Sequence, residues 1–324
     1  MLYLTKELAS FTSRCIRLSL LNKRNSCLRY STSPQSSNSV LKSYEDLVRK
    51  KDYEHYLASM FMPPSLRKGY IGLRAFNIEV ASIQDSVSNK EIGKIRFAHW
   101  RDSLDKAFQK KICQQPALNF ISHVTDISSL SMGFFKKVIS ERETNLNNSS
   151  FHTIEDLDRY CENTASSLLY LQLELLGIRE VSLDHIASHI GKAIGIATLI
   201  RSLPYHLSHR TSIIPIEIMT KHKLVEEEIY RYAGSQGTID ARLLDAIFEV
   251  ATHAHDHILT AKSMLSKLDR ADVARAFPAF LTLVPTISYL KRLESTQFDP
   301  ISTKRDWKLP FILWNQNRKL SIEF

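Results

Sequence analysis

Apolar residues recur along this chain at the three-to-four-residue spacing of an α-helix almost throughout, and no stretch alternates convincingly as a half-buried strand does. Eight segments carry the helical period: residues 44–60, 66–85, 89–109, 128–146, 154–176, 182–203, 239–268 and 271–293. Turn-forming clusters separate them at Pro63-Pro64, Gln115-Pro116, Asn147-Asn148-Ser149-Ser150 and residues 234–237. No internal repeat is present. The pattern predicts an all-α protein.

Composition sharpens this picture. Of 324 residues 44% are hydrophobic, enough for a sizeable core, while 9 Gly and 10 Pro leave room for few turns and long helices. No window holds 18 consecutive apolar residues, and the best candidate, 276–290, is interrupted by Pro278 and Pro285. A soluble or peripheral protein is expected.

The formal net charge of +9 suggests nucleic acid until it is mapped. Lys6, Arg14, Arg17, Lys23, Arg24 and Arg29 face only Glu7 in the first 30 residues, so that segment supplies +5 and the rest carries +4. No nucleic-acid partner is expected. On a helical projection Leu4, Leu8, Phe11, Cys15 and Leu18 share one side of the segment, with Lys6, Arg17 and Arg24 opposite. This basic, hydroxyl-rich, acid-poor composition is that of a mitochondrial transit peptide, favoured over a plain solvated tail. Cleavage is expected near Tyr30, with a disordered Ser-rich leader beyond it. The expected division is 1–40 as leader and 41–324 as one helical domain.

Removal of the leader would take Cys15 and Cys27 with it, leaving Cys113 and Cys161, far apart and in no Cys-x-x-Cys motif. Neither a disulfide framework nor a zinc site follows, and both cysteines read as small core or surface residues. His253, His255 and His257 are the most tempting metal cluster, but only His253 and His257 share a helix face and no further ligands stand out in the sequence. Structural or surface histidines are the preferred reading. Gly191 and Gly195 form a Gly-x-x-x-Gly suited to close helix packing, with no Gly-rich phosphate loop around it.

Residues 190–206, IGKAIGIATLIRSLPYH, resemble the second aspartate-rich helix of squalene and phytoene synthases. That helix runs from Gly-x-Ala to Arg-Asp, with another Asp four residues on. Gly191, Ala193 and Arg201 match, but Ser202 and His206 occupy the acidic positions. At Gly195 the enzymes generally carry a larger polar residue lining the cavity. The first motif, Asp-Asp-x-x-Asp after an Ala-Phe pair, is matched by Ala75-Phe76 and then reads Ala81-Ser82-Ile83-Gln84-Asp85. Residues 92–104, 157–177 and 276–290 also resemble family segments in order, so the likeness covers most of the chain after about residue 44.

The resemblance implies an isoprenoid-synthase-like helical bundle with a central cavity. In the enzymes Mg²⁺, held by hard carboxylate oxygens, neutralises the leaving diphosphate. Serine and imidazole are poor Mg²⁺ ligands, and Pro204 is expected to interrupt the helix carrying them. No catalytic, cofactor-binding or metal residues are therefore assigned, and no cofactor is expected. Asn77, Glu79, Ala81, Ser82, Asp85, Arg201, Ser202 and His206 are the degenerate-motif positions.

Two readings of the surviving polar groups stand side by side. Asn77, Glu79, Asp85 and Arg201 form a buried ion-pair network, favoured because buried charges need partners, or they line a cavity that still takes a lipid. Further features, Ala75 to Glu79, Tyr160 to Thr164, Ser188 to Ala193 and Leu203 to His206, resemble a non-enzymatic mitochondrial branch of the family. That branch implies assembly of respiratory NADH dehydrogenase, complex I, with assembly intermediates or other assembly factors as partners at the matrix face of the inner membrane. The alternatives are an active prenyl-diphosphate transferase with an atypical metal site and a lipid-binding matrix protein.

Overall fold

Fifteen helices account for nearly all regular structure in the computed structural model, which describes residues 36–87, 89–147, 150–232, 240–304, 306–320 and 322. The chain divides into two units, Met1–Val40 and Leu41–Phe324. The first is described only from residue 36, so the expected transit peptide and its cleavage near Tyr30 lie outside the described residues, whereas Ser36 to Ser39, expected in a disordered leader, form the first turn of a helix.

In chain order the helices are α1 (Ser36–Lys51), α2 (Tyr53–Ala58), α3 (Arg67–Ser86), α4 (Lys90–Phe108) and α5 (Pro116–Val124). They continue with α6 (Met132–Asn147), α7 (Ile154–Cys161), α8 (Ser167–Leu175), α9 (Val181–Ser208) and α10 (Ile216–Lys221). The last five are α11 (Glu226–Tyr232), α12 (Ala241–Leu265), α13 (Arg270–Phe280), α14 (Leu283–Ser295) and α15 (Leu309–Lys319). No strand occurs among the described residues.

Local chemistry sets several boundaries. Asn89 caps α4 by accepting from the Glu91 amide, and Asp240 caps α12 by accepting from that of Arg242. Thr153 and Asp156 form a reciprocal capping box at α7. Pro116, read from sequence as part of a break, instead opens α5, where its missing N–H costs nothing.

Other expected helices are divided. Asp52 separates α1 from α2 and turns its carboxylate to His55 and Arg74. A π-helical turn, Glu162–Ser166, interrupts 154–176 between α7 and α8. The expected helix over 271–293 is bent by 67° between α13 and α14. Pro285 has no N–H to give the Leu281 carbonyl, so the bend falls before it. No single described helix is long and apolar enough to cross a membrane.

Pro204, by contrast, does not end its helix: α9 runs on to Ser208. The proline costs one backbone hydrogen bond, at about 3 kcal/mol. Leu203 and Leu207 on either side are fully buried, and each contributes about 1.5–3 kcal/mol by leaving water. Packing outweighs the local penalty.

α9 is the hub, buried on most of its circumference. Ile200, Leu203 and Leu207 join Leu157 of α7 and Leu243, Ile247 and Val250 of α12 in one apolar cluster. Ile186 and Ile190 join Ile258 of α12, Phe280 and Leu283 in another. Separately, Phe76 of α3 meets Trp100 of α4 and Phe135 of α6 edge-on, at centroid separations of 5.5 and 5.0 Å. Between α3 and α9 a cavity remains.

Candidate functional site: a central cavity with an altered lining

The cavity measures about 340 Å³ and is enclosed by α3, α6, the α7–α8 segment and α9. On α3 it takes Arg74, Asn77, Ala81, Gln84 and Asp85, whose spacing of three and four residues places them on one face. α9 answers with Gly195, Thr198, Leu199, Ser202, Tyr205 and His206. Thus Asn77, Ala81, Asp85, Ser202 and His206, picked out in sequence, do converge on one space.

The other three positions do not. Glu79 and Ser82 face the opposite side of α3, toward Leu47, Arg96 and Trp100, because two residues advance a helix by about 200°. Arg201, one residue from Ser202, points away to pair with Glu54 at 2.5 Å, with its guanidinium 5.6 Å from the Tyr289 ring centroid. The expected network of Asn77, Glu79, Asp85 and Arg201 is therefore absent. Neighbours in sequence point in different directions on a helix.

Polar groups in the lining are largely committed. Ser202 donates to the Leu199 carbonyl of its own helix, and Asp85 accepts from the Tyr205 hydroxyl. Burial pushes the Tyr205 hydroxyl up, and Asp85 adds to the shift. Burial lowers His206, with Asp85 opposing, and Nδ1 of His206 lies 3.2 Å from the Thr211 hydroxyl. Behind α3, burial drives Glu79 to about 7, opposed by a hydrogen bond from Tyr44.

Two arginines dominate the electrostatics. Arg74 is ion-paired with Asp52, donating from Nε at 2.7 Å, and His55 bonds the same carboxylate at 2.7 Å. Burial opposes ionisation of Asp52, but Arg74 and His55 hold its pKa far below the usual range. Arg142 of α6 donates from Nη2 to Asn77 at 2.6 Å, while its buried Nε meets no acceptor. Burial lowers the Arg142 pKa. Gln172 of α8 also turns a buried, unpartnered Oε1 in this region.

Arg142 and Arg74 were not singled out in sequence, although a signal existed. Arg142 follows Phe135, Val138 and Ile139 on the buried stripe of α6, and Arg74 lies between Ile71 and Ile78 on that of α3. A charged residue on an apolar stripe needs a partner or a cavity.

Asp85 is the only carboxylate among the described lining residues. A Mg²⁺ cluster needs several hard oxygen ligands, and two guanidinium groups nearby would repel it. This lining does not fit the metal cluster that the resemblance implies for the enzymes.

The glycine pair on α9 packs as its spacing predicts. A Cβ on Gly191 would lie 2.4 Å from Ser166 Cα and 2.6 Å from its backbone N, and one on Gly195 would lie 2.6 Å from Cys161 Sγ. These contacts seat α9 against the π-helical turn. Cys113 and Cys161 are both buried and free, and burial raises both thiols.

A histidine cluster lies outside the cavity. His253 and His257 of α12 both face Asp158 of α7, whereas His255 lines a separate groove with Phe248 and Phe298. Sequence reading found the pair and missed Asp158, which sits on a different helix.

Comparison with known proteins follows the same lines. The squalene/phytoene synthase family model matches residues 48–314. The chain is 38% identical over 275 residues to NADH dehydrogenase (ubiquinone) complex I, assembly factor 6, of Bos taurus, covering 84% of this chain and 80% of that protein. It is 35% identical over 258 residues to the homolog of that factor in Drosophila melanogaster, covering 78% and 75%. A dehydrosqualene synthase crystal structure superposes with a TM-score of 0.72 at 17% identity, over 88% of this chain and 97% of that one. The all-α, isoprenoid-synthase-like fold expected from sequence is the fold of this chain.

Proposed function

Because this chain belongs to the squalene/phytoene synthase family, we propose that it uses the family scaffold without the family chemistry, as a mitochondrial assembly factor for respiratory NADH dehydrogenase. The observation that carries the non-enzymatic part is the cavity wall. One carboxylate, already bonded to Tyr205, stands where a diphosphate's metal ions would need several, and two arginines, Arg74 and Arg142, line the same cavity. Identity to proteins named as complex I assembly factors supports the assembly part.

Localisation follows as part of the same reading. Residues 1–40 serve as a matrix-targeting leader trimmed near Tyr30, and 41–324 act as the working domain. The finer partners are complex I assembly intermediates or other assembly factors, met at the matrix face of the inner membrane. A surface at the start of α15 and in the turn before it supports peripheral membrane contact. Trp307, Phe311 and Trp314 are 74%, 69% and 56% exposed, and Lys308 and Arg318 flank them. Aromatic residues rimmed by basic ones suit the interface of an anionic bilayer.

Deletion in a host that makes complex I tests the proposal. Native-gel separation should show less assembled complex I with the other respiratory complexes and bulk isoprenoids unchanged. Purified protein given farnesyl or geranylgeranyl diphosphate with Mg²⁺ should form no squalene or phytoene. Normal complex I with depleted isoprenoids, or measurable Mg²⁺-dependent turnover, would return the chain to the enzymes.

A further inference from the structure

Asp158, His253 and His257 form a cluster unrelated to the cavity. Their ligand atoms, one carboxylate oxygen and two imidazole nitrogens, all lie within 4.8 Å of one another. Nε2 of His253 is 2.9 Å from Asp158 Oδ1, and Nε2 of His257 is 3.2 Å from both carboxylate oxygens. α12 supplies both histidines from one face, four residues apart, and α7 supplies the carboxylate.

We infer that Asp158, His253 and His257 constitute a Zn²⁺ site that ties α7 to α12, with water completing the coordination. Zinc takes imidazole nitrogen and carboxylate oxygen at about 2.0–2.2 Å, so tetrahedral ligands stand about 3.4 Å apart. The His–Asp separations of 2.9 and 3.2 Å need opening by only a few tenths of an ångström, within reach of side-chain rotation. Two imidazoles and one carboxylate suit Zn²⁺ and not Mg²⁺, which prefers an all-oxygen shell. Side-chain exposures of 26%, 11% and 20% for His253, His257 and Asp158 leave a path for the ion and its water.

The surroundings match what a ligated histidine requires. Nδ1 of His257 lies 2.9 Å from Nδ1 of His189 on α9. With zinc on Nε2, His257 carries its proton on Nδ1 and donates it to His189, a partner that fixes tautomer and ring orientation. Lys192 opposes the ion's charge, and Asp256 and Glu162 offset it. The alternative, a carboxylate bridged by two histidines for packing alone, explains the same distances without any affinity for metal.

The test uses the full chain prepared without a histidine tag and stripped of metal. Isothermal titration with Zn²⁺ should give one site, and Co²⁺ should give the visible absorption of a tetrahedral centre, while Mg²⁺ gives neither. Asp158→Asn, His253→Ala and His257→Ala should each weaken Zn²⁺ binding at least about tenfold, and His189→Leu should weaken it about tenfold through loss of the supporting hydrogen bond. His255→Ala, on the other face of α12, should bind as the parent does. Circular dichroism checks that each variant folds, and the wild-type titration decides the matter even if one does not. No stoichiometric Zn²⁺ uptake by the wild type, or equal loss in His255→Ala, would overturn the site, whatever the outcome for complex I.

Discussion

Gly191→Ala adds a single methyl group where α9 crosses the π-helical turn, and the geometry gives its cost. The new Cβ would sit 2.3 Å from Ser166 Oγ, 2.4 Å from its Cα and 2.6 Å from its N. Ordinary contacts between non-bonded heavy atoms are about 3.5–4.0 Å, so α9 must back away by about 1 Å. No rotamer change relieves this, since two of the three obstacles are backbone atoms. The displacement loosens fully buried neighbours, Ile190 and Ala193 on α9 and Cys161 beneath it. Overpacking of this kind costs about 1–3 kcal/mol and occasionally more. Because the clash is with backbone, the upper end applies, and alanine's better helix propensity returns about 1 kcal/mol.

A net loss of about 2 kcal/mol is therefore expected, or about 4–8 °C in Tm for a domain of this size. Urea and thermal unfolding followed by circular dichroism measure it, with two other glycines as internal controls. At Gly69 the nearest atom to a new Cβ is the flexible end of Leu175, at 2.9 Å, so Gly69→Ala should be nearly neutral. At Gly133 nothing lies within 4 Å, so Gly133→Ala should stabilise by about 0.5–1 kcal/mol. The predicted order is Gly133→Ala above wild type, Gly69→Ala near it and Gly191→Ala well below. If Gly191→Ala matches or exceeds wild type, the close approach of α9 to the π-helical turn is refuted.

Two further outcomes follow from named side chains. Folded Glu79 keeps its proton to about pH 7, whereas the unfolded chain releases it near 4.5, so the native state binds more protons between these values and stability falls as pH rises through them. Glu79→Gln should therefore match wild type at pH 4 and exceed it by about 1–3 kcal/mol at pH 8 in urea unfolding, whereas an equal offset at both pH values would rule out titration of Glu79 as the cause. On α15 and the turn before it, replacing Trp307, Phe311 and Trp314 together by Ser should abolish co-flotation with anionic phospholipid vesicles and leave the circular dichroism unchanged, because these side chains are mostly exposed; flotation equal to wild type would remove this surface as the membrane contact.

What the sequence disclosed, and what it hid, divides along physical lines. Long amphipathic segments such as 66–85 and 89–109 became α3 and α4 within a few residues, since the helical period is a property of the segment itself. Short helices escaped: α10 and α11 hold 6 and 7 residues, too few for a period to stand out, and α5 was masked by its opening proline. The divisions at Asp52, at the π-helical turn and before Pro285 depend on what presses against the helix. At the site, aligned motifs located Ala81, Asp85, Ser202 and His206 on the cavity wall, but motif membership alone did not reveal that Glu79, Ser82 and Arg201 face elsewhere. Asp158 and Arg142 act from other helices, and their contacts exist only once the chain is folded.

If the chain works without metal chemistry, as proposed, the cavity wall also bears on how such a scaffold stays closed. In the enzymes that the sequence resembles, ions held between the two motif helices would bridge them. Here α3 and α9 meet across the cavity through Asp85 and Tyr205, while α3 is held to α6 by Arg142 and Asn77 and to the α1–α2 junction by Arg74 and Asp52. Each of these is a hydrogen bond to a charged group, of the kind that contributes about 1.5–3 kcal/mol. Side-chain pairs distributed around α3 thus supply cohesion between these helices. A protein organised this way can keep its cavity as structure alone, and under the proposed assembly role the exposed aromatic surface around Trp307, Phe311 and Trp314 is then where binding would be sought.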